Sequence, residues 1–325
     1  MTRDSNPSFE AIDDASYEKE IVLIEKQLEK RAVTGSITVN DGMELSYEFY
    51  KARNAEKSVV IVHGFSEFTK KFSEMCWYFL NAGYNVFLYD QRGHGMSGRE
   101  VGSLALGHVN SYDDYALDLE AFIDRVVKPN ADGTDIYIYS HSMGGMVALL
   151  YLMKRSDAVK KAVLSSPMIR PGTKGMPAFM LKAIVKHDGL KYGWDNKFRF
   201  AAEFDPHHEQ LGKHDECFSR FKHNLDCRIA NERYQNSSST NRWMYESLSV
   251  HKRLLDKDML SKISCKVMIV NAQKDRVVRR SAQKKLARLA NIRYVSIKGA
   301  KHSIFVSSSQ ILNEYYRTIF DFYAE

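Results

Sequence analysis

Proline and cysteine are scarce in this chain, and long hydrophobic runs are missing. Six prolines and eighteen glycines among 325 residues exclude a collagen-like or broadly disordered polypeptide. A membrane-spanning helix needs roughly 18 consecutive apolar residues, and no run reaches that length. Four cysteines (Cys76, Cys217, Cys227 and Cys265) are too few for a disulfide framework in so long a chain. His214, Cys217, His223 and Cys227 carry donor atoms suited to zinc, but their spacing matches no familiar finger. Surface histidines with free thiols are the preferred reading there. The first fourteen residues are acidic and polar, with no apolar segment behind a basic start. No signal peptide is therefore expected, and a cytoplasmic location is.

Ordinary globular material fills the rest. Hydrophobic residues make up 44% and charged residues 27%, and a chain of this mass buries about 75% of its unfolded surface on folding. The formal charge of +7 raises the question of an anionic partner. Its densest basic stretch, between Arg276 and Arg293, reads as a helix with Leu286 and Leu289 turned inward and cations facing water. Such a face is compatible with peripheral contact with an anionic membrane. No zinc finger, aromatic-basic strand or helix-turn-helix accompanies it, so no nucleic acid is expected.

Tyr17, Ile21, Ile24 and Leu28 recur at helical spacing, which predicts an amphipathic helix of about three turns. Strand-like runs over 36–40 and 43–50 flank Asp41-Gly42, a strong hairpin signal. From Ser58 onward, short apolar runs alternate with helical stretches. The runs are Val59–Val62, Val86–Tyr89, Ile136–Tyr139, Ala162–Leu164, Val267–Val270 and Tyr294–Ile297. This alternation predicts an α/β fold with a mostly parallel central sheet and helices on both faces, the hairpin adding antiparallel strands at one edge. Between Pro167 and about Ser261 the alternation stops. The resulting division is an N-terminal helical extension over 1–33, a core over 34–166 and 262–325, and an insertion over 167–261. An insertion there sits above the carboxyl ends of the strands, where ligands bind, and reads as a helical lid.

Ser140-His141-Ser142-Met143-Gly144-Gly145 lies directly between a strand and a helix, the context required of a nucleophile elbow. Residues two places either side of the nucleophile must be small, and here they are Ser140 and Gly144. A serine hydroxyl needs an adjacent base. His302, between the last strand and the terminal helix, falls on the same edge of the sheet. Asp275, just past the preceding strand, would hold the imidazole, while Asp256 and Asp258 precede that strand and belong at its other end. Two backbone N–H groups, those of Phe65 after His63-Gly64 and of Met143, are the expected oxyanion donors. His63, Asp90, Arg92 and His94 are expected to brace loops.

With these residues the chain resembles the α/β-hydrolase superfamily, and more closely its lysophospholipase L2 and monoacylglycerol lipase branch. The matching pieces are His63-Gly64-Phe65 with Glu67, the turn from Arg92 to Ser97, Tyr112-Asp113-Asp114-Tyr115, the elbow, Asp275 and His302. Ser140 stands where glycine is usual, Cys265 where proline is frequent, and Ser303 where glutamate often follows the histidine. The resemblance implies hydrolysis of a small lipid ester through an acyl-enzyme, without metal or organic cofactor. Lid residues such as Met176, Met180, Trp194 and Trp243 are candidates to line an acyl channel. Small-ester esterase, thioesterase and aminopeptidase activities use the same triad. An aminopeptidase would need an acidic pocket, for which Glu203, Asp205, Glu209, Asp215 and Glu216 are available. A non-catalytic binding module on this fold is the remaining alternative.

Overall fold

The computed structural model describes residues 9–173, 175–207 and 217–325. Its centre is an eight-stranded sheet built from β1 (Val33–Thr38), β2 (Glu44–Tyr50), β3 (Lys57–Val62), β4 (Tyr84–Tyr89), β5 (Asp135–His141), β6 (Lys161–Ser165), β7 (Lys266–Ala272) and β8 (Arg293–Ile297). Their spatial order is β1-β2-β4-β3-β5-β6-β7-β8. Pairings β1/β2 and β2/β4 are antiparallel, and every pairing from β4 to β8 is parallel. The apolar runs form strands because they are covered on both faces. Val60, Val62 and Ile138 join one core cluster, and Val59, Ile61 and Tyr139 the other. Burying such a side chain contributes roughly 1.5–3 kcal/mol relative to exposure. The hairpin sits at the predicted edge, although β1 starts and ends earlier than the Ser36–Asn40 run.

The longer helices among the described residues are α1 (Tyr17–Arg31), α2 (Ser73–Asn81), α3 (Tyr112–Phe122), α4 (Met143–Arg155), α5 (Ala178–Tyr192), α6 (Phe218–Ala230), α7 (Asn241–Val250), α8 (Arg280–Leu289) and α9 (Ser309–Ala324). The buried residues of α1 are Tyr17, Ile21, Ile24 and Leu28, the stripe read from the sequence, and they join the core with Cys76 and Phe79 of α2. The N-terminal helix thus packs on its own chain. At the start of α3 the Ser111 hydroxyl accepts from the Asp113 N–H while Asp114 accepts from the Ser111 N–H, a reciprocal cap.

Between β6 and β7 lie α5, α6 and α7. Leu181, Val185, Phe198 and Leu248 give this insertion a small core of its own. A two-residue parallel ladder, Leu106–Gly107 with Ser238–Ser239, ties it to a loop before α3. A second tie is buried. Arg220 of α6, with no exposed side-chain surface, donates to Glu74 of α2, to Asp14 and to the Ile12 carbonyl, and stacks on the Tyr17 ring.

Candidate active site

The turn from β5 to α4 places Ser142 at φ 51°, ψ −114°, a left-handed conformation that costs a non-glycine residue energy. Backbone bonds on either side hold it there: the Ser142 N–H donates to the Ser165 carbonyl (3.0 Å) and its own carbonyl accepts from Met168 (2.8 Å). The turn tolerates almost no bulk. A Cβ on Gly144 would sit 2.2 Å from the Val62 carbonyl oxygen. Ser140, the departure from glycine, is fully buried, and its hydroxyl donates to the Val163 carbonyl (3.2 Å).

His302 and Asp275 arrive at this point from loops at the carboxyl ends of β8 and β7. His302 Nε2 lies 2.9 Å from Ser142 Oγ, and His302 Nδ1 lies 2.8 Å from Asp275 Oδ2. The other Asp275 oxygen accepts from the Val277 and Val278 N–H groups (2.8 and 3.2 Å), which fixes the carboxylate plane. Burial works to raise the Asp275 pKa, but the His302 ring and these two donors outweigh it and hold the carboxyl below its usual range. His302 shifts the other way. Burial lowers its pKa, Asp275 opposes that, and the adjacent His141 pushes it down further, favouring the neutral base.

Phe65 follows Gly64 on the loop after β3, and Met143 opens α4, so both segments flank Ser142. The approach is close: a Cβ on Gly64 would lie 3.1 Å from the Ser142 Cβ. His63 is buried, with Nε2 accepting from the Gln91 N–H (2.9 Å) and Nδ1 bonded to the Gly64 carbonyl (2.7 Å). Asp90 accepts from the Thr69 and Met96 N–H groups. Arg92 grips Asp118 through two bonds of 2.6 and 2.7 Å. His94 Nδ1 meets the Arg92 carbonyl. These contacts brace loops.

One pair carries more than the sequence revealed. Glu67 and His141, separated by 74 positions, form a buried contact of 2.9 Å directly beneath the site. Glu67 also accepts from the Gly64 N–H (2.6 Å) and from Lys71 (3.0 Å), while His141 Nε2 lies 3.2 Å from the His302 carbonyl. The pair therefore connects the Gly64–Phe65 loop to the His302 loop. Burial would raise the Glu67 pKa, yet His141 and Lys71 hold it well below the carboxylate range. In the sequence Glu67 stands out beside His63-Gly64-Phe65, but nothing there names His141 as its partner.

Above Ser142 opens a cleft of about 1630 Å³. Met176 and Trp243 line it as expected, together with Phe65, Met168, Leu181 and Phe198. Phe179 and Met180 do not, for they face outward at 76% and 46% exposure. Trp194 packs instead on Tyr245, with ring centroids 5.2 Å apart. Of the acidic residues, Glu203 and Asp205 reach the cleft, but Glu203 is paired with Lys197. Glu209, Asp215 and Glu216 lie outside the described residues, as does His214.

The family model described as serine aminopeptidase, S33 (Hydrolase_4) matches residues 53–308. The chain belongs to this α/β-hydrolase family. The hydrolase is 26% identical over 302 residues to lysophospholipase L2 of Escherichia coli K12, covering 87% of this chain and 85% of that protein. It is 33% identical to the monoglyceride lipase of Saccharomyces cerevisiae over a shorter stretch of 139 residues, 40% of this chain and 42% of that one. A crystal structure of a soluble variant of that yeast lipase with a substrate analog superposes with a TM-score of 0.71 at 19% identity, covering 90% of the hydrolase and 94% of the lipase. That likeness establishes the fold. Among the described residues, no helix of the hydrolase is long and apolar enough to cross a membrane.

Proposed function

We propose that the hydrolase cleaves single-chain lipid esters, lysophospholipids or monoacylglycerols, with Ser142 as nucleophile, His302 as general base and acid, and Asp275 as the group that orients the imidazole. The unbroken chain from Ser142 Oγ through His302 to Asp275, at 2.9 and 2.8 Å, carries this reading. Ser142 Oγ attacks the ester carbonyl as its proton passes to His302 Nε2. The Phe65 and Met143 N–H groups receive the developing oxyanion, a contribution worth about 10²–10³-fold per donor in related chemistry. As the tetrahedral species collapses, the proton moves from His302 to the departing alcohol oxygen. Water then repeats the sequence on the acyl-enzyme and releases the fatty acid.

The cleft supports the lipid assignment. Its volume of about 1630 Å³ exceeds the roughly 300–1,000 Å³ of common small-molecule pockets, and methionine, phenylalanine and tryptophan side chains line it. The outer face of α5 supports delivery from a membrane surface. Phe179, Ala183, Lys186 and Leu190 are exposed at helical spacing, flanked by Lys182 and Lys191, an apolar and cationic stripe suited to lying at an anionic interface.

A fluorophosphonate adduct mapped by mass spectrometry, with Ser142→Ala alongside, tests the assignment. Labelling at Ser142 and a loss of turnover on the order of 10⁶-fold in the mutant are expected. An acyl series from acetate to monoacylglycerols and lysophospholipids, run beside aminoacyl amides, tests the substrate class. Preference for the amides would replace the lipid reading with an aminopeptidase.

A further inference from the structure

Away from the cleft, α1 and α6 bring three donor groups of different chemistry to one point. His223 and Cys227 are four residues apart on α6 and so share a face. Glu25 of α1, 198 positions earlier in the chain, meets them there. His223 Nε2 is 3.1 Å from Glu25 Oε1 and 3.8 Å from Cys227 Sγ, and all three donor atoms lie within 4.8 Å of one another. The side chains of His223 and Glu25 are 19% and 16% exposed, so the cluster is shielded yet open to a water.

We propose that Glu25, His223 and Cys227 form a zinc site that staples the N-terminal helix to the insertion. Ligand distances of about 2.3 Å for sulfur and about 2.0–2.1 Å for nitrogen and oxygen give tetrahedral edges of about 3.5 Å (S–N) and about 3.3 Å (N–O). The spacings of 3.8 and 3.1 Å need only a few tenths of an ångström of adjustment. One thiol, one imidazole and one carboxylate suit zinc rather than magnesium or calcium, which take oxygen ligands. Water completes the fourth position. Binding releases the proton on His223 and the thiol proton of Cys227. Burial opposes a charge on His223, but its hydrogen bonds to Cys227 and Glu25 raise its pKa to about 9, so a metal must displace a proton there. Lys70 Nζ, 4.0 Å from the other Glu25 oxygen, and the Ser73 hydroxyl face the cluster from the loop before α2 and from that helix, and Tyr17 packs on His223 from α1. Histidine and cysteine were visible in the sequence, whereas Glu25 was not. Cys217, the other cysteine weighed there, instead lies 3.4 Å from an Arg220 nitrogen.

The site would be structural. Phe221, Asn224 and Leu225 of α6 line the cleft, so a metal on this helix fixes one wall of it. The test is titration of chelator-treated full-length protein with Zn²⁺ against a chromophoric chelator, and with Co²⁺ as a spectroscopic probe of thiolate ligation. One equivalent of Zn²⁺ should bind, Co²⁺ should give a thiolate charge-transfer band, and Zn²⁺ should protect Cys227 from alkylation while leaving the alkylation rate of Cys265 unchanged. Cys227→Ser and His223→Gln should each weaken binding at least tenfold, and Cys227→Ser should remove the band. Cys265→Ser should change neither. Absence of binding at micromolar Zn²⁺, or a band that survives Cys227→Ser, overturns the proposal. Alkylation protection is read on the wild type, so it decides the matter even where a variant folds poorly.

Discussion

The edge of the sheet that carries Ser142 and the insertion above it are built on opposite terms. At the edge, every group of the triad is at least nine-tenths buried, and the loops are bonded to one another through Glu67–His141, His141–His302 and His302–Asp275. Among the described residues of the insertion, the internal core has four buried side chains. Seven of the twelve large apolar side chains exposed among the described residues lie there, from Phe179 to Ile229, in less than a third of the chain. The contrast separates two tasks. Chemistry needs atoms held to a fraction of an ångström, whereas capture of a lipid needs apolar surface that stays available to it. Loosely cored surface is usable only if something fastens it to the rigid part, and Arg220 does so.

Breaking that fastening should have the largest effect on stability. Arg220→Ala leaves Glu74 buried without its cation, a loss of about 3–5 kcal/mol for an interior pair of this kind. Thermal unfolding should show a lower Tm, and hydrolysis of long-chain esters should fall further than hydrolysis of acetate esters. Equal loss on both substrates would mean that the insertion and the triad are one mechanical unit. Next in size is the bridge inside the rigid half. Glu67→Gln removes the charge that holds the Gly64 N–H and the His141 ring, about 1–3 kcal/mol, or roughly ten- to hundredfold in kcat. Acyl chain length should not alter that factor, because Glu67 acts through the Gly64–Phe65 loop rather than through the acyl site. A chain-length-dependent loss would move Glu67 to the binding side of the comparison.

The two regions also differed in how much the sequence disclosed. Ser142, His302 and Asp275 were readable because each follows a strand that only a buried parallel sheet explains, so three distant segments had to meet at one edge. Helix α1 was readable down to its four buried residues, since helical periodicity encodes which face turns inward. The insertion offered composition without phase. Met176, Met180, Trp194 and Trp243 all looked suited to an acyl channel, and only contacts with the rest of the fold separate the two that line the cleft from the others. The Glu67–His141 bridge was hidden for a related reason. It is a tertiary contact between two loops, and no local pattern specifies which acid meets which imidazole.

A smaller effect should appear in the pH dependence. As the proposed base, His302 acts only when neutral, so kcat/KM is expected to rise with pH through its pKa and then level off. Burial and the neighbouring His141 lower that pKa, and Asp275 recovers part of the shift. The midpoint of the acid limb should therefore lie below the ordinary imidazole value of about 6.5. Glu67 is among the charges that raise the His302 pKa, so Glu67→Gln should move the limb to still lower pH. A midpoint above 6.5 would mean that the ion pair with Asp275 outweighs burial.

The least effect on chemistry, and the sharpest separation of the two regions, is expected from the outer face of α5. Phe179→Ser with Leu190→Ser removes exposed apolar surface that touches neither the triad nor the cleft. Hydrolysis of a soluble acetate ester should stay within about twofold, since no group that touches the reacting atoms is altered. Hydrolysis of a lysophospholipid presented in anionic vesicles should fall by several-fold or more, through weaker binding to the surface. Lys186→Glu supplies the complementary arm. A cation near an anionic surface contributes about 1 kcal/mol and its reversal to an anion about 2 kcal/mol, so this change should cost about thirtyfold on anionic vesicles, less at high salt, and little on neutral ones. If both substitutions slow the soluble ester as much as the vesicle-bound lipid, α5 supports the cleft rather than meeting a membrane. Its exposed face would then be packing surface left uncovered, and the division between a rigid site and a capturing surface would have to be drawn inside the insertion.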